Sequence, residues 1–130
     1  MQVESWRTNV RNLVVWFDIP VRDLSRSVKF YSEVMATELA IVDGAPSPQA
    51  NFPFAPGIAS GSLRENKEHS PSITGPMVYL DGGDDLSVPL ARVEAAGGTV
   101  IKGKTAIGPN GFMAIFKDCD GNAVALHSRN

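Results

Sequence analysis

Val14-Val15-Trp16-Phe17-Asp18-Ile19-Pro20-Val21-Arg22-Asp23-Leu24 decides how the chain is read, because its plan returns as Met77-Val78-Tyr79-Leu80-Asp81-Gly82-Gly83-Asp84-Asp85-Leu86. In both stretches an apolar strand runs into an Asp-Leu pair that opens an amphipathic helix. A duplicated strand–helix unit cannot bury its apolar face alone, so it packs against its copy, and the groove between copies is the natural place for a ligand.

Working outward, alternation puts Phe17, Ile19 and Val21 on one face of the first strand and Trp16, Asp18 and Pro20 on the other. Asp23 is a good N-cap, and Leu24, Val28, Tyr31 and Met35 recur at helical spacing, a stripe suited to covering the Phe17 face. Three further strands are expected near Thr37–Val42, Asn51–Phe54 and Ile58–Leu63, the middle one interrupted by proline. The polar run from Arg64 to Ser72 has no apolar period and reads as an exposed linker. The second unit repeats the plan. A strand at Met77–Asp81 precedes a helix with the stripe Leu86, Leu90, Val93, in which Pro89 falls in the first turn and need not break it; Gly97-Gly98 ends it. Strands follow at Thr99–Ala106, Phe112–Lys117 and Ala123–Ser128, with Asn110-Gly111 and Asp120-Gly121-Asn122 as turns. Residues 1–11 read as an extension, with Trp6 available to anchor it. Residues 12–130 form one domain: module one about 12–64, a linker 65–74 and module two about 75–130. The halves match at an offset of 61 until the Gly82-Gly83 insertion, so Met77 and Tyr79 answer to Trp16 and Asp18.

A length of 130 residues suits a single domain. With 43% hydrophobic and 20% charged residues and a net charge of -2, composition is ordinary for a globular protein and offers no basic field for nucleic acid. The longest apolar run, Leu13–Phe17, is far below the roughly 20 residues that span a bilayer. The N-terminal stretch does not read as a secretory signal, and a lone cysteine, Cys119, fits a reducing cytoplasm.

The run from Trp16 to Tyr31, with the closing Phe116-Lys117-Asp118-Cys119-Asp120-Gly121-Asn122-Ala123-Val124-Ala125-Leu126-His127, resembles the vicinal oxygen chelate superfamily of glyoxalase I, bleomycin resistance proteins, fosfomycin resistance enzymes and ring-cleaving dioxygenases. The resemblance covers nearly everything from Asn12 to Ser128. It implies an α+β fold of two paired βαβββ modules whose curled mixed sheets form a cup, usually in a homodimer. It also implies a divalent metal in that cup, held by a His opening the first strand and a Glu in the last; this chain has Trp16 and Ala125 there, and Pro76-Met77 where the second module often supplies a His or Gln. The usual ligands are thus replaced, and no metal and no cofactor is expected.

Trp16, Asp18, Met77, Tyr79, Phe112, Ala125 and His127 are expected to line the cup, with Phe52 and Phe54 as weaker wall candidates. Aromatic walls suit a planar or apolar small organic molecule, although core packing is the ordinary role of a strand aromatic. Asp18 inside an apolar run is either solvated in an open cup or paired, since an unpaired buried charge is costly. Burial disfavours the charged form of a carboxylate, one way a general base is made, and His127 is the candidate partner or acid; the plainer alternative gives both a hydrogen-bonding role only. Two motifs are decoys. Gly98-Thr99-Val100-Ile101-Lys102-Gly103-Lys104-Thr105 spells a P-loop but follows a helix and is β-branched, so it reads as a strand; Asp118-Cys119-Asp120-Gly121 is too short for a calcium loop and reads as a turn. Cys119 between two acids should have a raised thiol pKa, the wrong direction for a nucleophile. The leading expectation is a small-molecule-binding or sequestering protein similar to bleomycin resistance proteins. The alternatives are a glyoxalase-like lyase or isomerase using Asp18 and His127, with or without a weakly bound divalent metal, and a pure scaffold.

Overall fold

The computed structural model describes residues 11–130; the extension with Trp6 lies almost wholly outside the described residues. Module one runs β1 (Trp16–Val21), α1 (Leu24–Met35), β2 (Ala40–Ile41), β3 (Gln49–Asn51) and β4 (Ser60–Glu65). Module two runs β5 (Tyr79–Asp81), two single-turn helices α2 (Ser87–Leu90) and α3 (Val93–Ala96), then β6 (Thr99–Ala106), β7 (Phe112–Lys117) and β8 (Ala123–Ser128). Each module is one four-stranded mixed sheet, ordered β1-β4-β3-β2 and β5-β8-β7-β6. The α+β fold of two βαβββ modules is therefore as expected, with two sheets that do not close into one barrel.

Register shows the internal duplication directly. Asp18 and Ile19 pair with Ser62 and Leu63, while Tyr79 and Leu80 pair with Ala125 and Leu126. Ser62 is thus the counterpart of Ala125, at an offset that has grown from 61 to 63 after Gly82-Gly83. Pro20, which has no ladder donor, is tolerated because β1 is an edge strand. Phe17 lies against Gly61, its neighbour on β4; a Cβ there would stand 2.6 Å from the ring.

α1 forms where Asp23 accepts from the Arg26 N–H at 3.3 Å and Glu65 Oε2 accepts from the Leu24 N–H at 2.9 Å, satisfying two donors of the first turn. Its buried side is Leu24, Ser27, Phe30, Tyr31 and Val34; Val28 and Met35 are only partly covered, so the apolar face is wider and rotated from the expected stripe. The second helix departs from expectation more. Pro89 donates no bond, the Arg92 N–H turns back to Pro89 O only three residues away at 3.0 Å, and the segment splits into α2 and α3. Gly97, at φ 110°, ends α3 in the left-handed conformation expected of it.

The last three strands of module two match their expected limits, while β5 begins at Tyr79 rather than Met77 and β2 is confined to Ala40–Ile41 within the expected Thr37–Val42. In module one β3 lies at Gln49–Asn51 rather than Asn51–Phe54, and β4 continues to Glu65, taking two residues that read as linker. The two modules share one core: Ile19, Val21, Ala50 and Leu63 of the first sheet, Leu80, Ala114, Phe116 and Leu126 of the second, and Phe30, Tyr31 and Val34 of α1 form a single cluster. The β7–β8 turn fastens the modules. Asp120, with a fully covered side chain, accepts from the Arg22 N–H at 2.9 Å, from Arg26 at 2.9 Å and from the Ser27 hydroxyl. Burial alone would raise the Asp120 pKa, but the bonds from Ser27, Arg22 and Arg26 outweigh it and hold the carboxyl below its ordinary value. Tyr31 donates to Asp118 at 2.6 Å, and burial together with that carboxylate pushes the phenol far up. Among the described residues no helix is long and apolar enough to cross a membrane.

Candidate functional site

Because side chains alternate along a strand, whatever does not point to the shared core points to the opposite face, and there most of the expected site residues stand. On module one the face begins with Trp16, whose ring meets Phe54 edge-on at 5.5 Å and 83°, both rings partly open to solvent. The Trp16 indole N–H donates to Ser62 Oγ at 3.4 Å, and Ser62 donates to Asp18 Oδ1 at 2.6 Å. Arg64 Nε stands 3.5 Å from Asp18 Oδ2, an ion pair whose alignment makes no hydrogen bond. Asp18 is therefore paired, one of the two states open to a carboxylate in an apolar run. Beside it on β3, Gln49 donates to Asn51 at 2.9 Å, and these two amides lie across from Arg64 and Ser62.

On module two, Tyr79 and Ala125 are register partners, as are Asp81 and His127, so all four share a face. Met113 joins them opposite His127 on β7. Ala125 and Met113 are buried yet stand outside the core cluster, as this face requires. Met77 precedes β5 and is partly open. Phe112 corrects the sequence expectation: it alternates with Met113, so it packs toward the core with Ala114 and Phe116, and Lys104 Nζ covers its ring at 4.5 Å. Phe52 is likewise core, against Phe17 and Tyr31. The expected Asp18–His127 partnership is not formed. His127 Nε2 lies 2.6 Å from the Asn110 carbonyl oxygen, while Asp18 is held by Ser62 and Arg64.

A pocket of about 230 Å³ opens at the seam between β1 and the β5–β8 pair, with Asp18, Pro20, Val78, Ala123 and the linker residue His69 among its walls. The residues that sequence reasoning missed are Ser62, Arg64 and His69. Ser62 is legible in the sequence as the counterpart of Ala125 when the duplication is carried back across the two-residue insertion. Arg64 was readable only if β4 was extended past Leu63, and nothing local places His69 near Asp18.

The P-loop decoy is a strand, as its context predicts: Lys104 lies in β6 and donates to Asp85 at 3.0 Å. Cys119 is half-buried, and burial followed by the Asp120 charge raises its thiol pKa to about 11, in the direction expected.

The strand order, the doubled register and the paired faces agree with the comparison by sequence, in which the model of the Glyoxalase/Bleomycin resistance protein/Dioxygenase superfamily matches residues 13–126. The chain belongs to this superfamily. No curated protein matches it by sequence. Solved structures of similar fold include a glyoxalase/bleomycin resistance protein from Albidiferax ferrireducens at 16% identity and TM-score 0.73, covering 92% of this chain and 100% of that one. TnmS3, an antibiotic binding protein from a Streptomyces species, is 27% identical at TM-score 0.61, with 90% and 95% covered. Glyoxalase I from Zea mays is 22% identical at TM-score 0.69; 96% of this chain matches, spanning 47% of the maize protein.

Proposed function

We propose that this superfamily member binds a small organic molecule on the faces built around Trp16–Asp18 and Tyr79–His127, without a tightly held metal. The observation that carries the reading is the chemistry at the four duplicated positions. Trp16, Ser62, Met77 and Ala125 present an indole, a hydroxyl already engaged, a thioether and a methyl. A divalent ion of this kind wants three or four oxygen or nitrogen donors converging at about 2 Å, and this set does not suit one. Among the described residues no three His, Cys, Asp or Glu side chains gather as a ligand group. Similarity to TnmS3 supports binding as a role that this fold serves. The lyase or isomerase reading draws less support, because Asp18 and His127 are engaged with separate partners.

The functional unit in this reading is a cytoplasmic homodimer. Leu13, Val14 and Val15, just ahead of β1, and Ile58 are exposed, an apolar surface of the sort that a second copy covers. Light scattering coupled to gel filtration reads this directly, a monomer mass counting against it. Thermal denaturation with Ni, Zn, Co or Mn separates the main readings. A bound ion stabilises by RT ln(1 + [L]/Kd), so no shift of Tm at millimolar metal is expected, and a rise of several degrees would return the chain to the metal-dependent members.

A further inference from the structure

The module-one face holds a feature that its replaced metal positions do not explain. Asp18 and Arg64 lie side by side with charges that sum to zero, and neither saturates the other: Arg64 Nε is buried without a hydrogen-bond partner, and the Arg64 side chain makes no hydrogen bond to any described residue. Asp18 Oδ2 likewise accepts no hydrogen bond among the described residues, since Ser62 occupies Oδ1. A guanidinium has only donors and a carboxylate only acceptors, so the pair presents an acceptor and a donor edge next to each other. An incoming anion would meet Arg64 and be repelled by Asp18; an incoming cation would meet the reverse. A neutral group carrying its own acceptor beside its own donor satisfies both. The Trp16 indole, met edge-on by Phe54 at 83°, offers one flat wall on the same face, and the Gln49 and Asn51 amides across the strands add uncharged polar groups beside it.

We propose that this face selects neutral planar molecules with a carboxamide or lactam edge, the ring stacked on Trp16 with Phe54 at its side and the edge on Asp18 and Arg64, over carboxylates or amidines of the same shape. This rests on the reading of the face as a ligand site and specifies the ligand class it takes. The Arg64 and Asp18 side chains are 28% and 35% exposed, and an edge that pairs with their open parts has the advantage over a ring without one.

Benzamide, benzoate and benzamidine share one shape and differ in charge, which makes them the probes. Titrating each into the ¹⁵N-labelled full chain, with the Trp16 indole signal assigned through Trp16→Phe, should show benzamide bound roughly fivefold more tightly than either ion, about the worth of one hydrogen bond. The variants invert the order. Asp18→Asn leaves Arg64 without its counter-charge and should favour benzoate; Arg64→Met leaves Asp18 alone and should favour benzamidine. A merely structural ion pair would weaken all three probes together. Benzoate or benzamidine winning in the wild type, or an order unchanged by both substitutions, overturns the proposal. Shifts confined to Tyr79 and His127 sink it while sparing the binding reading, and silence from every probe over the whole spectrum removes both. Far-ultraviolet circular dichroism verifies that each variant is folded, and the wild-type ranking decides the matter if one is not.

Discussion

The first module has a continuous twelve-residue helix and a short outer hairpin, whereas the second has a split helix and long outer strands. Prolines account for both differences. Pro46, Pro48 and Pro53 surround β3 and leave few ladder donors beyond three residues, while Pro89 divides the second helix. The faces turned away from the core differ in kind as well. Module one presents an aromatic corner and an ion pair, module two Tyr79, Asp81 and His127 around the small Ala125 and the soft Met113. Duplication preserved the core positions, Leu63 matching Leu126 and Ala50 matching Ala114, all fully buried, and let the opposite face diverge. Core positions are constrained by volume on every side; outward positions answer only to what they bind.

The fastening of one module to the other is where the comparison breaks most severely. Asp120→Ala leaves the Arg22 N–H, the Ser27 hydroxyl and Arg26 without their acceptor and should cost about 3–5 kcal/mol in urea unfolding. The pH dependence has a definite sign. Because the folded carboxyl is held below its ordinary value of 3.8, its contribution is complete above that value and disappears as pH falls through the lower, folded one. The variant should therefore lose less stability than the wild type between pH 5 and pH 2, and an unchanged acid limb would contradict the assignment.

Leu63→Ala and Leu126→Ala ask whether the matched positions are energetically matched. Each should cost about 3 kcal/mol and leave a single unfolding transition, because both side chains belong to one core. Two separated transitions would mean that the modules unfold independently. The smallest effect concerns the helices. Asp23→Ala removes the side-chain cap of α1 and should cost about 1 kcal/mol, while Leu86, which precedes α2 with no side-chain cap bond, offers no corresponding loss. Chemical denaturation resolves that difference, and a cost near zero would show Glu65 sufficing alone.

Much of this was open to inspection in the linear order of residues. β6, β7 and β8 were delimited correctly because each is a long β-rich stretch bounded by Gly, Asn or Asp, and α1 began where Asp23 could cap it. β3 was displaced because Gln49-Ala50-Asn51 has no apolar alternation to betray it. Phe112 departs from the cup lining expected of an aromatic because its parity, opposite to that of Met113 and His127, turns it to the core.

By itself the sequence determined the duplicated plan, the alternation of faces and the absence of His or Glu at Trp16 and Ala125, since spacing, capping and turn chemistry operate between residues a few positions apart. The tertiary structure alone decided that Asp18 is bonded to Ser62 and paired with Arg64 rather than with His127, and that Asp120 ties the β7–β8 turn to α1. Those contacts join residues 44 and 94 positions apart, where no local periodicity reaches and only the packing of two sheets about one core sets the distance.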